Sequence, residues 1–272
     1  MDLNFGFTLQ NLIDQRRVTK EDVDGLRTSL KTPLSDEQLA LFILSCDDDK
    51  KRAIHTIKKY FQWRRIGAEL FSNRRLNDER FQKMLHVGVY AIVSKRTPQN
   101  YSILVLKLQD YDYRKFDFVT NFKLILMTLD AITYSDPPDG LICVFDYQGV
   151  SFKHATLVKL SVVKVVVRYL QEGLPLKLKE IHAFNAGYAF ACIYNVFKPF
   201  LGKEFQKLIH LHRSTINFDS FRTTCLAKEF LPEEYGGDLP SILVHHKNTI
   251  EKMKSMQAYF EADERLTRDY ID

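Results

Sequence analysis

The sequence lacks the short motifs by which many enzymes and metalloproteins can be recognised. Its four cysteines are far apart in a chain of 272 residues and form no CxxC pair, so neither a zinc ribbon nor a disulfide framework is indicated. There is no GxSxG, GxxxxGKS/T or GxGxxG stretch, so local signals for a serine hydrolase, a P-loop or a dinucleotide site are missing. We therefore expect no enzyme, no cofactor and no metal; a catalytic triad assembled from distant residues stays open as an alternative.

Long apolar runs are also missing. No stretch approaches the roughly 18 apolar residues that a membrane span needs, and the beginning, MDLNFGFTLQNLIDQRR, has neither the basic start nor the unbroken apolar segment of a secretory signal. The net charge of +5 is only a mild basic excess and a weak indication of an acidic partner. We expect a cytoplasmic monomer with peripheral membrane contact and no nucleic-acid partner.

The residues that are present indicate a globular α/β protein. With 45% hydrophobic and 27% charged residues, the chain can bury a large core or form a core that encloses a cavity. Capping-box spacing at Thr19 and Ser35 starts helices in an all-helical N-terminal subdomain, residues 1–75. Apolar residues at helical spacing from Ala53 to Arg64 give that subdomain a face to dock elsewhere.

Strand and helix patterns alternate after this subdomain. Strands are predicted at 87–95, 101–109, 141–147 and 208–212, and helices at 118–132, 154–171 and 187–200, with Gly173 as a left-handed residue closing the second helix. This alternation predicts a mostly parallel, mixed sheet with crossover helices. We place the main domain at 76–245 and a solvated or loosely docked C-terminal helix at 246–272.

In one segment the apolar residues change from even-numbered to odd-numbered positions. In PLKLKEIHAFN (175–185), Leu176 and Leu178 alternate with Lys177 and Lys179, but the apolar positions beyond Glu180 are odd-numbered. The first half is typical of a strand with one solvated face, and the second half is typical of a buried strand.

Two helices are unusually apolar, namely the valine-rich LVKLSVVKVVVRYL (157–170) and GYAFACIYNVFKPFL (187–201). Periodicity favours simple core packing for both helices. The alternative is that they wall a hydrophobic cavity, with the second helix as a half-exposed lid.

The histidines do not indicate a metal site. His210 and His212 point the same way in a strand, and His245 and His246 are adjacent in a predicted loop, but no carboxylate or cysteine at ligand spacing accompanies either pair. We expect His182 and His210 to be hydrogen-bonded structural residues.

Four motifs, in this order, resemble the CRAL-TRIO lipid-binding domain: GLICVFDYQGVSFKHA, PLKLKEIHAFN, KPFLGKEFQKLIHLH and LPEEYGG. The pattern is most similar to the branch of the cellular retinaldehyde-binding and α-tocopherol transfer proteins. The resemblance implies an α/β sandwich whose sheet floor and helical lid enclose an apolar cavity for one small lipid, without catalysis. Matched by motif, the ligand contacts would be Leu141, Cys143, Phe145, Val158, Val166, Tyr169, Leu170, Leu178, Ile181, Phe190, Ile193, Val196 and Phe197. Polar groups that could select the ligand head are Thr128, Tyr134, Cys143 and Tyr169.

The resemblance also implies that Lys177 and Lys179 contact phosphoinositide headgroups. At places where family members usually carry arginine, however, this chain has Leu41, Leu44 and Cys46, followed by the acidic run Asp47–Asp49. We expect weak or altered phosphoinositide recognition.

The function that the resemblance implies is that of a soluble carrier, which binds a retinoid, a tocopherol-like molecule or another isoprenoid and transfers it between membranes by opening the lid. The alternatives are a phosphoinositide-sensing membrane adaptor in lipid or vesicle traffic, and an enzyme acting on a lipid.

Overall fold

A computed structural model describes residues 3–31, 34–212 and 218–271. The first part is helical, as predicted, with α1 (Leu9–Asp14), α2 (Lys20–Arg27), α3 (Asp36–Ser45), α4 (Lys50–Ile66), α5 (Ala68–Phe71) and α6 (Glu79–Leu85). The hydroxyl oxygens of Thr19 and Ser35 accept hydrogen bonds from the backbone N–H groups of Asp22 and Gln38. These caps satisfy N–H groups that have no partner within the helix, so they fix where α2 and α3 begin.

Helix α4 docks through the face that its periodicity predicts. Ala53, Ile57, Tyr60, Phe61 and Arg64 are all buried. The arginine belongs to this face because its guanidinium group pairs with buried carboxylates, as described below.

Five strands of the described chain form one mixed sheet in sequential order: β1 (Gly88–Ile92), β2 (Tyr101–Leu108), β3 (Gly140–Asp146), β4 (Leu178–Phe184) and β5 (Ile209–Leu211). β1 is antiparallel to β2, and β2 through β5 are parallel to one another. The parallel connections contain α7 (Phe118–Tyr134), then α8 (Phe152–Ala155) with α9 (Leu160–Arg168), then α10 (Tyr188–Phe197) with α11 (Lys203–Lys207). The predicted α/β architecture is confirmed.

Both faces of the sheet are covered, which explains why β3 is apolar at every position from Leu141 to Phe145. On the front face, Leu106, Leu141 and Cys143 join the main core with the N-terminal helices. On the back face, Ile142 and Val144 belong to a second core that includes residues of α12 (Phe218–Thr224) and the segment 226–242. Strands covered on both sides need no polar alternation.

A β-bulge explains the change of parity in 175–185. Leu178 pairs with Leu141, but the next residue of β3, Ile142, pairs with Glu180, so Lys179 is the extra residue. Ile181 is then opposite Cys143. The bulge keeps Leu178 and Ile181 on one face although their numbers differ in parity.

The predicted helix over 154–171 is interrupted. Helix α8 ends at Ala155, and the Thr156 hydroxyl donates to the Lys153 carbonyl oxygen (2.7 Å). The backbone is extended at Lys159, and α9 then continues into a π-helical turn, Tyr169–Gly173. Gly173 is not in the left-handed region, contrary to the prediction; a Cβ atom there would lie 2.9 Å from the backbone of Tyr60, so the close approach of α4 requires glycine.

The prediction of a solvated or loosely docked C-terminal helix was wrong. The segment forms α13 (Ile242–Ser255) and α14 (Gln257–Asp269), and Met253, Met256, Tyr259, Phe260 and Asp263 are buried. These residues recur at helical spacing and pack into the main core. The stripe was overlooked because charged residues separate its members in the sequence.

Asp263 anchors α14 through a buried charge network. Its carboxylate accepts from Arg64, from Arg74 (2.5 Å) and from the Tyr60 hydroxyl (2.7 Å). Asp130 of α7 accepts from the same two arginines, at 2.9 and 2.8 Å. Two cations and two anions, all buried, therefore join the N-terminal helices, α7 and the C-terminus.

None of the helices in the described ranges combines the length and apolar character that crossing a bilayer requires.

Candidate functional site

A cavity of about 240 Å3 lies in front of the sheet, towards the carboxyl ends of β2 and β3. Leu106, Leu108 and Phe145 form its floor, and residues of α7, α9 and α10 close it. Most of the side chains around it are apolar. A concave apolar space with few polar groups is the usual form of a site for a small hydrophobic molecule.

Most of the predicted ligand contacts lie in this wall: Phe145, Val158, Val166, Leu170, Ile181, Phe190, Ile193 and Phe197. Val158 reaches the cavity from the interruption between α8 and α9. Whether these residues contact a ligand stays a prediction.

Leu141, Cys143, Tyr169, Leu178 and Val196 are outside the wall. Leu141, Cys143 and Leu178 lie on the front face of the sheet, but at the end where side chains of the main core fill the space. Tyr169 is fully occupied elsewhere, since its hydroxyl accepts from Arg64 (3.1 Å) and its ring packs on Phe71.

The sequence predictions missed the contribution of α7. Phe118, Phe122 and Ile125 line the cavity. Their helical spacing was visible, but an apolar stripe that faces an empty space looks the same in a sequence as one that faces a filled core.

Helix α10 covers the cavity and is itself partly exposed. Phe190 is its one buried residue, while Ile193 and Phe197 line the cavity and remain partly accessible. Two large side chains outside the wall are open to solvent, Tyr188 (76% exposed) and Phe152 of α8 (55% exposed), and their ring centroids are 6.3 Å apart. The partial exposure predicted for this helix is observed, and its role as a lid stays a prediction.

The polar groups that were candidates for selecting a ligand head do not line the cavity. Thr128 donates to the Leu124 carbonyl oxygen (2.8 Å), and the ring of Tyr134 packs on Tyr259. Burial raises the pKa of the Cys143 thiol to about 12, which makes it an inert core residue.

Different polar residues occur in the wall, among them Asn121, Tyr147 and His154. The Tyr90 hydroxyl donates to Asn121 Oδ1 (2.7 Å), and the backbone N–H of Ser151 donates to His154 Nδ1 (3.1 Å). Two charged residues also line the wall, Lys107 and Asp146, and they lie next to each other (Nζ to Oδ2, 3.9 Å).

The two lysines of the predicted headgroup site have separate partners. Lys177 forms an ion pair with Asp47, and Lys179 lies over the ring of Tyr101, 5.2 Å from its centroid. The bond with Lys177 lowers the pKa of Asp47 against the opposing effect of partial burial. The acidic run therefore neutralises part of the basic site, and phosphoinositide binding stays a prediction.

The histidines form contacts within the sheet. His182 is hydrogen-bonded to Glu180 (2.8 Å) and to His212 (3.0 Å) and stacks on His210. The structural role predicted for His182 is thus confirmed. His245 and His246 were predicted to lie in a loop, but they are buried in α13. Within the described ranges, no group of three or more His, Cys, Asp or Glu residues is placed to hold a metal ion.

These observations define an α/β domain with an apolar cavity beneath a half-exposed helix. The chain belongs to the CRAL/TRIO domain family, whose model matches residues 86–237. This is the family of lipid-binding domains that the sequence resembles.

Two relatives support the same branch. Clavesin-1 of Rattus norvegicus is 27% identical over 226 residues, which cover 82% of this chain and 61% of that protein. Alpha-tocopherol transfer protein-like of Mus musculus is 29% identical over 210 residues, which cover 76% of this chain and 60% of that protein. The chain thus spans about three fifths of the length of these relatives.

The crystal structure of Sfh5 has the same fold. It superposes with a TM-score of 0.51 at 16% identity and covers 96% of this chain and 89% of the other. At this identity the similarity concerns the fold alone.

Proposed function

We propose that this chain is a cytoplasmic carrier that holds one small hydrophobic molecule in the cavity and exchanges it with membranes through movement of α10. The observation that carries the proposal is the apolar wall, part of which is a half-exposed helix. Burial of apolar surface supplies the driving force for binding, at about 25 cal/mol per Å2. The name of one relative includes α-tocopherol transfer, which agrees with a retinoid, a tocopherol-like molecule or another isoprenoid as cargo.

The size of the cavity explains why the lid has to move. An engineered cavity of about 150 Å3 holds benzene, so a space of about 240 Å3 holds roughly ten non-hydrogen atoms. Retinoids and tocopherols are larger. Carriage of either therefore requires α10 to shift outwards, which its limited burial permits.

The exposed rings of Phe152 and Tyr188 give the lid a means of contact with a membrane. Tyr188 is the first residue of the helix that has to move, Phe152 of α8 packs against it, and aromatic rings are favourable at the bilayer interface. Entry of this surface into the interface would connect the cavity to the lipid phase while the lid is open.

A charge in the cavity wall tests the carrier proposal. Phe197→Asp places a carboxylate in the apolar wall, and we expect ligand transfer between vesicles to fall to the spontaneous rate because burying that charge is costly. The matched control is Asn195→Asp, which adds the same charge at an exposed position of α10 and should transfer normally. Wild-type transfer by a folded Phe197→Asp variant would refute the role of the lid.

Extraction identifies the cargo directly. Native mass spectrometry and solvent extraction of the purified protein should recover one unmodified hydrophobic molecule per chain. A chemically altered molecule would favour an enzyme. An empty cavity together with tight phosphoinositide binding would favour the adaptor, which the pairing of Lys177 with Asp47 does not support.

A further inference from the structure

We propose that the cavity selects cargo with a neutral oxygen that accepts a hydrogen bond from Tyr147, with His154 as a second donor in the same wall. The inference rests on the proposed function, since it names the chemical class of the cargo: an apolar molecule with a carbonyl or hydroxyl group and no charge. Tyr147 would then be the residue that distinguishes this cargo from a hydrocarbon.

The Tyr147 hydroxyl has no hydrogen-bond partner among the residues that the structure describes, although the residue lines the cavity. Its position is well fixed: its backbone N–H donates to the Phe184 carbonyl oxygen (3.0 Å), and its ring packs edge-on against Phe190. Burial raises the pKa of the phenol, which keeps it protonated as a donor. The residue is only partly buried, so its hydroxyl is free to donate to an oxygen of a molecule in the cavity.

His154 offers a second unused donor seven residues later in the chain. It is 3% exposed and lines the same cavity. Because Nδ1 accepts the Ser151 N–H, the proton of the neutral ring is on Nε2, and Nε2 is buried without a partner within the described residues. Buried polar groups in native proteins are nearly always paired, so this unpaired donor in the cavity wall is available to an oxygen of the cargo.

A third donor comes from α7. Because the Asn121 Oδ1 atom accepts from Tyr90, the amide N–H2 of Asn121 is left without an acceptor in the described part of the chain. The polar side chains of the wall thus provide more donors than free acceptors, which favours a cargo oxygen that accepts.

Charged cargo is disfavoured because the charged groups of Lys107 and Asp146 point to the back face of the sheet, since these residues alternate along β2 and β3 with Leu106, Leu108 and Phe145, which face the cavity. Lys107 and Asp146 lie together, and Asp146 also accepts from Asn185 (2.6 Å) and from the Tyr235 hydroxyl (3.1 Å). A carboxylate or ammonium group on the cargo would be buried without a free counter-charge.

The test uses four ligands with one ten-carbon isoprenoid skeleton, which fits the present cavity: geranial, geraniol, geranic acid and the corresponding hydrocarbon. Affinities for the whole chain are measured by isothermal titration calorimetry. The variant is Tyr147→Phe, which keeps the ring and removes the hydroxyl. The control is Tyr111→Phe, which removes an exposed hydroxyl outside the wall.

We expect the wild type and the control to bind geranial about tenfold more tightly than the hydrocarbon, the size of one buried hydrogen bond. In Tyr147→Phe this difference should disappear while hydrocarbon affinity is unchanged, and geranic acid should bind most weakly to all three proteins. If geranial and hydrocarbon bind equally to the wild type, or if Tyr147→Phe retains the preference, the inference is overturned and the carrier proposal stands. If no member of the series binds, both are overturned.

Discussion

Replacing Asp263 by asparagine would remove one of the two carboxylates that neutralise Arg64 and Arg74. Asp263 is completely buried and accepts three side-chain hydrogen bonds, from these two arginines and from Tyr60. After the change, two buried cations would share Asp130 alone. The asparagine keeps the shape of the side chain, so the measured loss reports the charge rather than a cavity.

The expected cost is about 3–5 kcal/mol in the free energy of unfolding, because removing one partner leaves a buried charge without compensation. Domains are typically stable by only about 5–15 kcal/mol, so the change consumes a large share of the total. Urea denaturation followed by circular dichroism measures it, provided that the transition is two-state. The control Glu261→Gln neutralises an exposed carboxylate of the same helix and should cost well under 1 kcal/mol.

A loss below about 1 kcal/mol for Asp263→Asn would show that the reasoning is wrong and that apolar contacts alone hold α14. A large loss confined to the C-terminus is distinguishable from a global loss by hydrogen exchange. In the first case amide protection falls only in α14, and in the second it falls throughout the chain.

Two further predictions concern pH and the basic site. Burial lowers the pKa of His182 and, together with the neighbouring histidines, lowers that of His212 from 6.5 to about 4. Between pH 6.5 and about pH 4 the unfolded chain therefore binds more protons than the folded chain. The contribution of these histidines to the free energy of unfolding should be fully present above pH 6.5 and should decrease towards pH 4. Denaturation at pH 7 and 5 checks this, and a flat profile contradicts it. Asp47→Asn releases Lys177 and should raise flotation with liposomes containing phosphatidylinositol bisphosphate; Asp48→Asn, with the same net charge, should raise it less. Strong binding that survives Lys177→Ala/Lys179→Ala would refute the site.

The sequence was sufficient to predict the alternation of strands and helices and the face of α4, because both depend on local periodicity. Most of the predicted ligand contacts also lie at the cavity, among them Phe145, Ile181 and Phe190, which carry the family pattern, but they are a minority of the apolar side chains that line it.

Which end of the sheet stays hollow could not be predicted. Leu141 and Phe145 are equivalent in pattern and share one face of β3, yet only Phe145 borders the cavity. The difference arises from helices distant in sequence, which fill the space over Leu141. The docking of α14 was missed for a related reason: a buried aspartate looks like a surface residue until its arginine partners are known.

The extra residue at Lys179 has a consequence for how this segment can vary. A bulge shifts the pairing by one residue, so the stretch before it directs even-numbered side chains to the front face and the stretch after it directs odd-numbered ones there. Lys177 lies before this shift, and Ile181 and Ala183, which line the cavity, lie after it. The surface around Lys177 and the cavity lining at Ile181 and Ala183 can therefore vary separately in evolution. Relatives with identical pockets can differ in the surface that they present at this edge of the sheet.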